Sequence, residues 1–105
     1  MEVSKNDWKL YREKLPEWQE TYMEKLIVKY IEYLQSKEPA STKFWELEKK
    51  IKRDRKSPGV LIEPNKQDMP FDLIRLIHEE VITVNDLDEF SDELKEIMKF
   101  LMERL

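Results

Sequence analysis

The chain holds one histidine, His78, and any chemistry built on imidazole has to start there. A general base needs a reacting group within hydrogen-bond reach, and a zinc site needs several ligands at set spacing. His78 is followed by Glu79 and Glu80, with Arg75 one helical turn before it and no HExxH or comparable pattern around it. We read it as a solvent-facing or core-edge residue. The acidic run of Asn85, Asp86, Asp88, Glu89, Asp92, Glu93 and Glu96 raises calcium instead. An EF-hand loop alternates oxygen ligands, with glycine at the sixth position and glutamate at the twelfth. Counted from Asp86, the fifth position is Phe90, the sixth Ser91 and the twelfth Ile97, so the pattern fails. Carboxylates in a first helical turn stabilise its positive end, which accounts for Asp92 and Glu93 without a ligand.

Other chemistries fare no better. There is no cysteine, which removes disulfides, thiolate metal sites and a thiol nucleophile. Gly59 is the only glycine, so a glycine-rich phosphate loop cannot be built, and no GxSxG elbow is present. Among 23 acidic residues no carboxylate pair is singled out. The reading is of a non-enzymatic protein with no cofactor, no metal site and no identifiable small-molecule substrate.

One run of charge is a binding candidate. Lys49, Lys50, Lys52, Arg53, Arg55 and Lys56 make six basic residues in eight. On a helix Lys49, Lys52, Arg53 and Lys56 share one side through i, i+3, i+4 and i+7, a stripe able to meet phosphates. The competing reading is a solvated helix end, where cations favour the C-terminal dipole and pair with acidic residues of this chain or of a protein partner. A helix-turn-helix reading of 71 to 105 fails, because its groove-entering helix would be strongly acidic.

The elements that carry these residues follow from composition and periodicity. One glycine among 105 residues, with 40% charged residues rich in Lys and Glu, suits helices rather than tight hairpins. The length supports one domain and one core. Charge is uneven: residues 1 to 40 carry 7 basic and 8 acidic residues, 41 to 66 carry 8 and 4, and 67 to 105 carry 4 and 11. The N-terminus lacks the apolar region of a signal peptide, and no stretch approaches the ~20 uncharged residues of a membrane span. A cytoplasmic location is expected.

The longest helical pattern runs over 16–37, opened by Pro16 and closed before Pro39. Its apolar residues, Trp18, Tyr22, Met23, Leu26, Ile27, Tyr30, Ile31, Tyr33 and Leu34, cover an arc of about 220°, where a helix lying on one core needs little more than 100°. That excess predicts cover on two sides. Before it, Ser4 and Asp7 suggest a capped short helix over about 5–14, ended by a break or kink at Leu15-Pro16. After it, Ser41 suggests an N-cap for a helix over 41–56, stopped by Ser57-Pro58-Gly59. Val60 to Ile62 fits either a helical turn or an extended plug. A helix opening at Pro70 carries Phe71, Leu73, Ile74, Leu76, Ile77 and Val81 on more than one face. Thr83 with Asp86 marks another capped turn, and Ser91 caps a last helix whose apolar residues fit an arc of about 140°.

Several segments together are similar to a known group: Asp7-Trp8 to Tyr11, Leu15-Pro16-Glu17-Trp18-Gln19-Glu20, Tyr22-Met23, Phe44-Trp45-Glu46-Leu47-Glu48, Pro58-Gly59-Val60, and Val81 to Phe90. Across nearly the whole chain they resemble small uncharacterised all-helical proteins of Gram-positive bacteria, often found in mobile elements. The group has no established function or site residues. The resemblance also implies a turn glycine at the position occupied here by Glu80.

The expectation is therefore an all-α single domain, 1–105, a bundle of about five helices built on the aromatic-rich helix 16–37. It acts through protein–protein interaction as a homodimer, with Trp18, Tyr22, Tyr30 and Tyr33 as aromatic anchors. The alternative is an accessory nucleic-acid binder using the six cations of 49–56.

Overall fold

The computed structural model describes residues 2–104. It is all-helical, with four α-helices and one 3-10 turn: α1 (Lys5–Leu34), α2 (Ala40–Asp54), α3 (Met69–His78), the turn Val84–Leu87, and α4 (Asp92–Met102). The count is four rather than five because the expected helices 5–14 and 16–37 are one. Helical backbone runs through Pro16, which corrects the break expected there. An interior proline costs a helix roughly 3 kcal/mol. The offset here is tertiary: Tyr11 and Leu15 before the proline, and Trp18 after it, belong to one stripe held on the core, while Pro16 itself faces solvent.

The apolar stripe turns around α1 as the helix advances. Asp7, Tyr11, Leu15, Trp18 and Tyr22 follow one another at intervals of 4 and 3, on one side. Met23, Ile27, Ile31 and Leu34 lie on a different side. The broad arc read from the sequence is thus two stripes for two environments. The first joins a core made with Met69, Leu73, Ile74 and Leu76 of α3, Ile82, Leu87, Phe90, and Leu94, Met98 and Leu101 of α4. Trp18 sits in it, its ring 6.4 Å from those of both Tyr11 and Phe90.

Local capping sets the helix starts. Ser4 Oγ accepts from Asp7 N at 3.1 Å and Ser91 Oγ from Leu94 N at 3.1 Å, while Thr83 N donates to Asp86 Oδ2 at 2.7 Å. Asp7 does not complete its own box. Its carboxylate instead accepts from Ser91 N at 2.9 Å and Ser91 Oγ at 2.5 Å, joining the starts of α1 and α4. Ser41 is not the cap of α2, which begins at Ala40 with Pro39 preceding it and no side-chain cap. Nor does α2 reach residue 56: it ends at Asp54. A turn follows, in which Ser57 Oγ accepts from Gly59 N, and residues 61–64 are irregular.

At the end of α3 Glu80 has φ 60°, the one positive-φ residue among the described ones. Val81 N donates to Leu76 O at 2.9 Å and Glu80 N to Ile77 O at 3.0 Å, the paired bonds of a Schellman cap. The position where the resemblance implies glycine is thus one that favours it.

The second half of α1 and all of α2 project from this core as a helical hairpin. No residue of α2 is buried, and beyond Leu15 only Leu26 of α1 is. The molecule measures 53 × 27 × 22 Å with a radius of gyration of 16.7 Å, against about 13 Å for a compact domain of this length.

Candidate functional site

The hairpin is closed by two side-chain contacts. Tyr30 Oη donates to Asp54 Oδ2 at 2.5 Å, and Lys50 Nζ lies 4.8 Å from the centre of the Tyr33 ring. Pairing 33 with 50 and 30 with 54 gives an antiparallel register that leaves Phe44 and Trp45 beyond the last turn of α1. Burial and the hydrogen bond to Asp54 push the Tyr30 hydroxyl up to about 12. Partial burial pushes the Asp54 carboxyl upward, but hydrogen bonds from Arg53 and Tyr30 outweigh it and bring the group below the usual carboxylate range. At the base of the hairpin Gln19 Nε2 donates to Pro58 O at 3.0 Å, and a Cβ on Gly59 would collide with the Tyr22 ring and Val81 Cγ2. Glycine there lets the 57–60 turn sit directly on Tyr22.

Between α1 and α2 runs a groove of about 470 Å³, walled almost wholly by apolar atoms from Met23, Ile27, Ile31, Leu34, Leu47 and Ile51, with Asp54 and Arg55 at one end. Its walls are not covered. Ile27, Ile31 and Leu34 are 52%, 49% and 40% exposed; outside the groove Val28 is 54% exposed, and Phe44 and Trp45, packed edge to face at 5.0 Å, are 64% and 58% exposed. Ile51, on the opposite wall, is 46% exposed. These side chains leave apolar surface open to solvent beside the groove. Among the described residues no group of three His, Cys, Asp or Glu side chains could hold a metal ion.

The four aromatic residues chosen from the sequence are distributed along α1. Trp18 is in the core, Tyr22 lies under the Gly59 turn, and Tyr30 and Tyr33 bind α2 at the margin of the groove. All four are half-buried. The apolar residues of α1 that stand out into solvent are aliphatic, and on α2 Phe44 and Trp45 are exposed as well. Periodicity alone could have found Ile27, Ile31 and Leu34 as a stripe. It could not say that the chain's own core stops short of them.

The six cations of 49–56 are on the hairpin too, all exposed except the half-buried Lys50. Lys49 pairs with Glu46 at 3.4 Å, Lys52 with Glu48 at 3.0 Å and Arg53 with Asp54 at 3.0 Å, each within α2. None of the ion pairs among the described residues joins them to the acidic segment 67–105. Arg55 and Lys56 fall past the helix end, so the continuous stripe expected on one helix is cut short.

His78 is exposed at the end of α3. No helix is long and apolar enough to cross a membrane among the described residues. No protein-family model, curated protein or solved structure matches the chain.

Proposed function

We propose that this protein is a non-enzymatic interaction module of the cytoplasm that pairs with a second copy of itself through the α1–α2 hairpin. The observation that carries this is the uncovered strip Ile27, Ile31 and Leu34 facing Leu47 and Ile51 across an apolar groove. Burying apolar surface is worth roughly 25 cal/mol per Å², and a helical hairpin with one bare face buries it most simply against the same face of another. Sedimentation equilibrium of the full chain and of Ile31→Asp tests the reading. The wild type should sediment as a dimer in the micromolar range and the variant as a folded monomer; a monomeric wild type at high micromolar concentration removes the proposal.

A second reading rests on a separate observation, the exposure of Lys49, Lys52, Arg53, Arg55 and Lys56 without partners in the acidic segment. It makes the hairpin an accessory nucleic-acid binder held by phosphate contacts, with affinity falling steeply as salt rises. Fluorescence anisotropy with duplex DNA and single-stranded RNA at about 50 mM salt decides it, since phosphate contacts are strongest there. Absence of binding ends this reading.

A further inference from the structure

Exposed charges of opposite sign extend the two stripes that wall the groove: carboxylates on α1 and, beside the Tyr30-bonded Asp54, the guanidinium of Arg55 after α2. On α1 the exposed stripe that includes Ile27 and Ile31 continues backward, at intervals of 3 and 4, to Glu24 and Glu20, both exposed. On α2 the stripe Leu47, Ile51 ends four residues on at Arg55, which lines the mouth of the groove. Neither Glu24 nor Arg55 takes part in the ion pairs found among the described residues. We propose that two copies dock groove to groove about a two-fold axis running along the groove, laying α1 of each on α2 of the other and pairing Glu24 with Arg55 of the partner subunit. This rests on the reading that the hairpin self-associates, and adds to it the geometry of the pairing.

Charge selects that geometry over its alternatives. Two bare hairpin faces stack in a two-fold arrangement with the axis either along the groove or across it. An axis across the groove puts α1 on α1 with the ends reversed, so that Glu24 and Arg55 of one copy lie at the far end of the groove from those of the other and form no pair. An axis along it brings the acidic edge of α1 beside the basic end of the partner's α2, twice in each dimer. The antiparallel register set by Tyr30 with Asp54 and Tyr33 with Lys50 leaves Glu24 and Arg55 within about five helical residues of each other along that axis, some 7 Å at 1.5 Å per residue. Two long side chains span that distance. An acidic amphipathic helix from another protein would satisfy Arg55 but would meet repulsion from Glu20 and Glu24, so a second copy complements both edges where a uniformly acidic partner complements one.

Charge exchange separates this arrangement from self-association as such. Both positions are exposed, so Glu24→Arg, Arg55→Glu and the double variant should all fold, with circular dichroism and melting as the check. Sedimentation equilibrium then reads the dimer constant. Each single variant should weaken dimerisation by about tenfold, since like charges are brought together, and the double variant should recover to within about threefold of wild type. A dimeric wild type whose constant is unmoved by either single variant, or a double variant weakened by the product of the two singles, overturns the docking while leaving self-association intact. A wild type that is monomeric throughout removes both.

Discussion

Tyr30, on the second half of α1, donates its hydroxyl to Asp54, the last residue of α2, at 2.5 Å, and this bond ties the C-terminal end of α2 to the helix it lies on. Since α2 buries no residue of its own, its position depends on a few such ties. Tyr30→Phe should cost about 1 kcal/mol, toward the low end for a bond to a charged acceptor because the site is partly exposed. The loss should be local. Hydrogen exchange followed by mass spectrometry should show α2 amides losing protection while α3 and α4 keep theirs; equal protection in α2 with and without the hydroxyl would show that the groove is held open by other means.

Two aspartates should shape the acid side of the stability curve in opposite directions. Asp54 is held below the ordinary carboxylate range, so its contribution is present above the unfolded value of about 3.9 and is lost as pH falls through the folded one. Asp72 is held above it by burial, with Asp68 adding and Arg75 opposing. Its contribution is therefore full below the unfolded value and lost as pH rises through the folded one. Asp72→Asn should raise the melting midpoint at neutral pH, Asp54→Asn should lower it, and both differences should shrink toward pH 3. Midpoints recorded from neutral pH down past the unfolded carboxylate value of about 3.9 test both signs; parallel curves for the variants and the wild type would contradict the assignment.

The core lobe has its own long-range clasp. Asp7 accepts both the backbone N–H and the hydroxyl of Ser91, which lies 84 residues away, so one carboxylate anchors α1 to the start of α4 and favours the positive end of that helix. Asp7→Ala leaves the partly buried Ser91 N–H and hydroxyl without their carboxylate and should cost about 2 kcal/mol in urea unfolding, against about 1 kcal/mol for losing the Ser4 cap alone. Equal costs would mean that Asp7 acts only within its own turn.

Glu80 occupies a left-handed position in the cap of α3. A side chain there is strained by roughly 1 kcal/mol relative to glycine, so Glu80→Gly should stabilise the chain by about that amount. Thermal unfolding measures it. A destabilised variant would mean that Glu80 makes compensating contacts.

What the sequence made legible was local. Ser91, and Thr83 with Asp86, announce helix starts because a capping side chain and its hydrogen-bond partner lie three residues apart. Pro16 misled for the converse reason: local propensity favours a break, and only the distant contacts of Tyr11, Leu15 and Trp18 hold the helix through it. The bond from Ser91 to Asp7 leaves no local trace, since nothing near Asp7 indicates where its carboxylate will go. As for the candidate site, the width of the apolar arc on α1 was readable, and so was the cluster of cations. Which part of that arc the core would cover was not, because it depends on where α3 and α4 stop along α1, a distance no periodicity encodes.

The account turns on whether the strip Ile27, Ile31 and Leu34 meets the α2 face of another copy. The most direct measurement is an isotope-filtered NOE experiment on a mixed sample, one population with labelled isoleucine methyls and the other unlabelled. Cross-peaks between copies from the Ile27 and Ile31 methyls to Leu47 and Ile51 are the expected result. Their absence at concentrations where the wild type sediments as a dimer would place the contact elsewhere, and a sample that is monomeric at those concentrations would contradict the account outright.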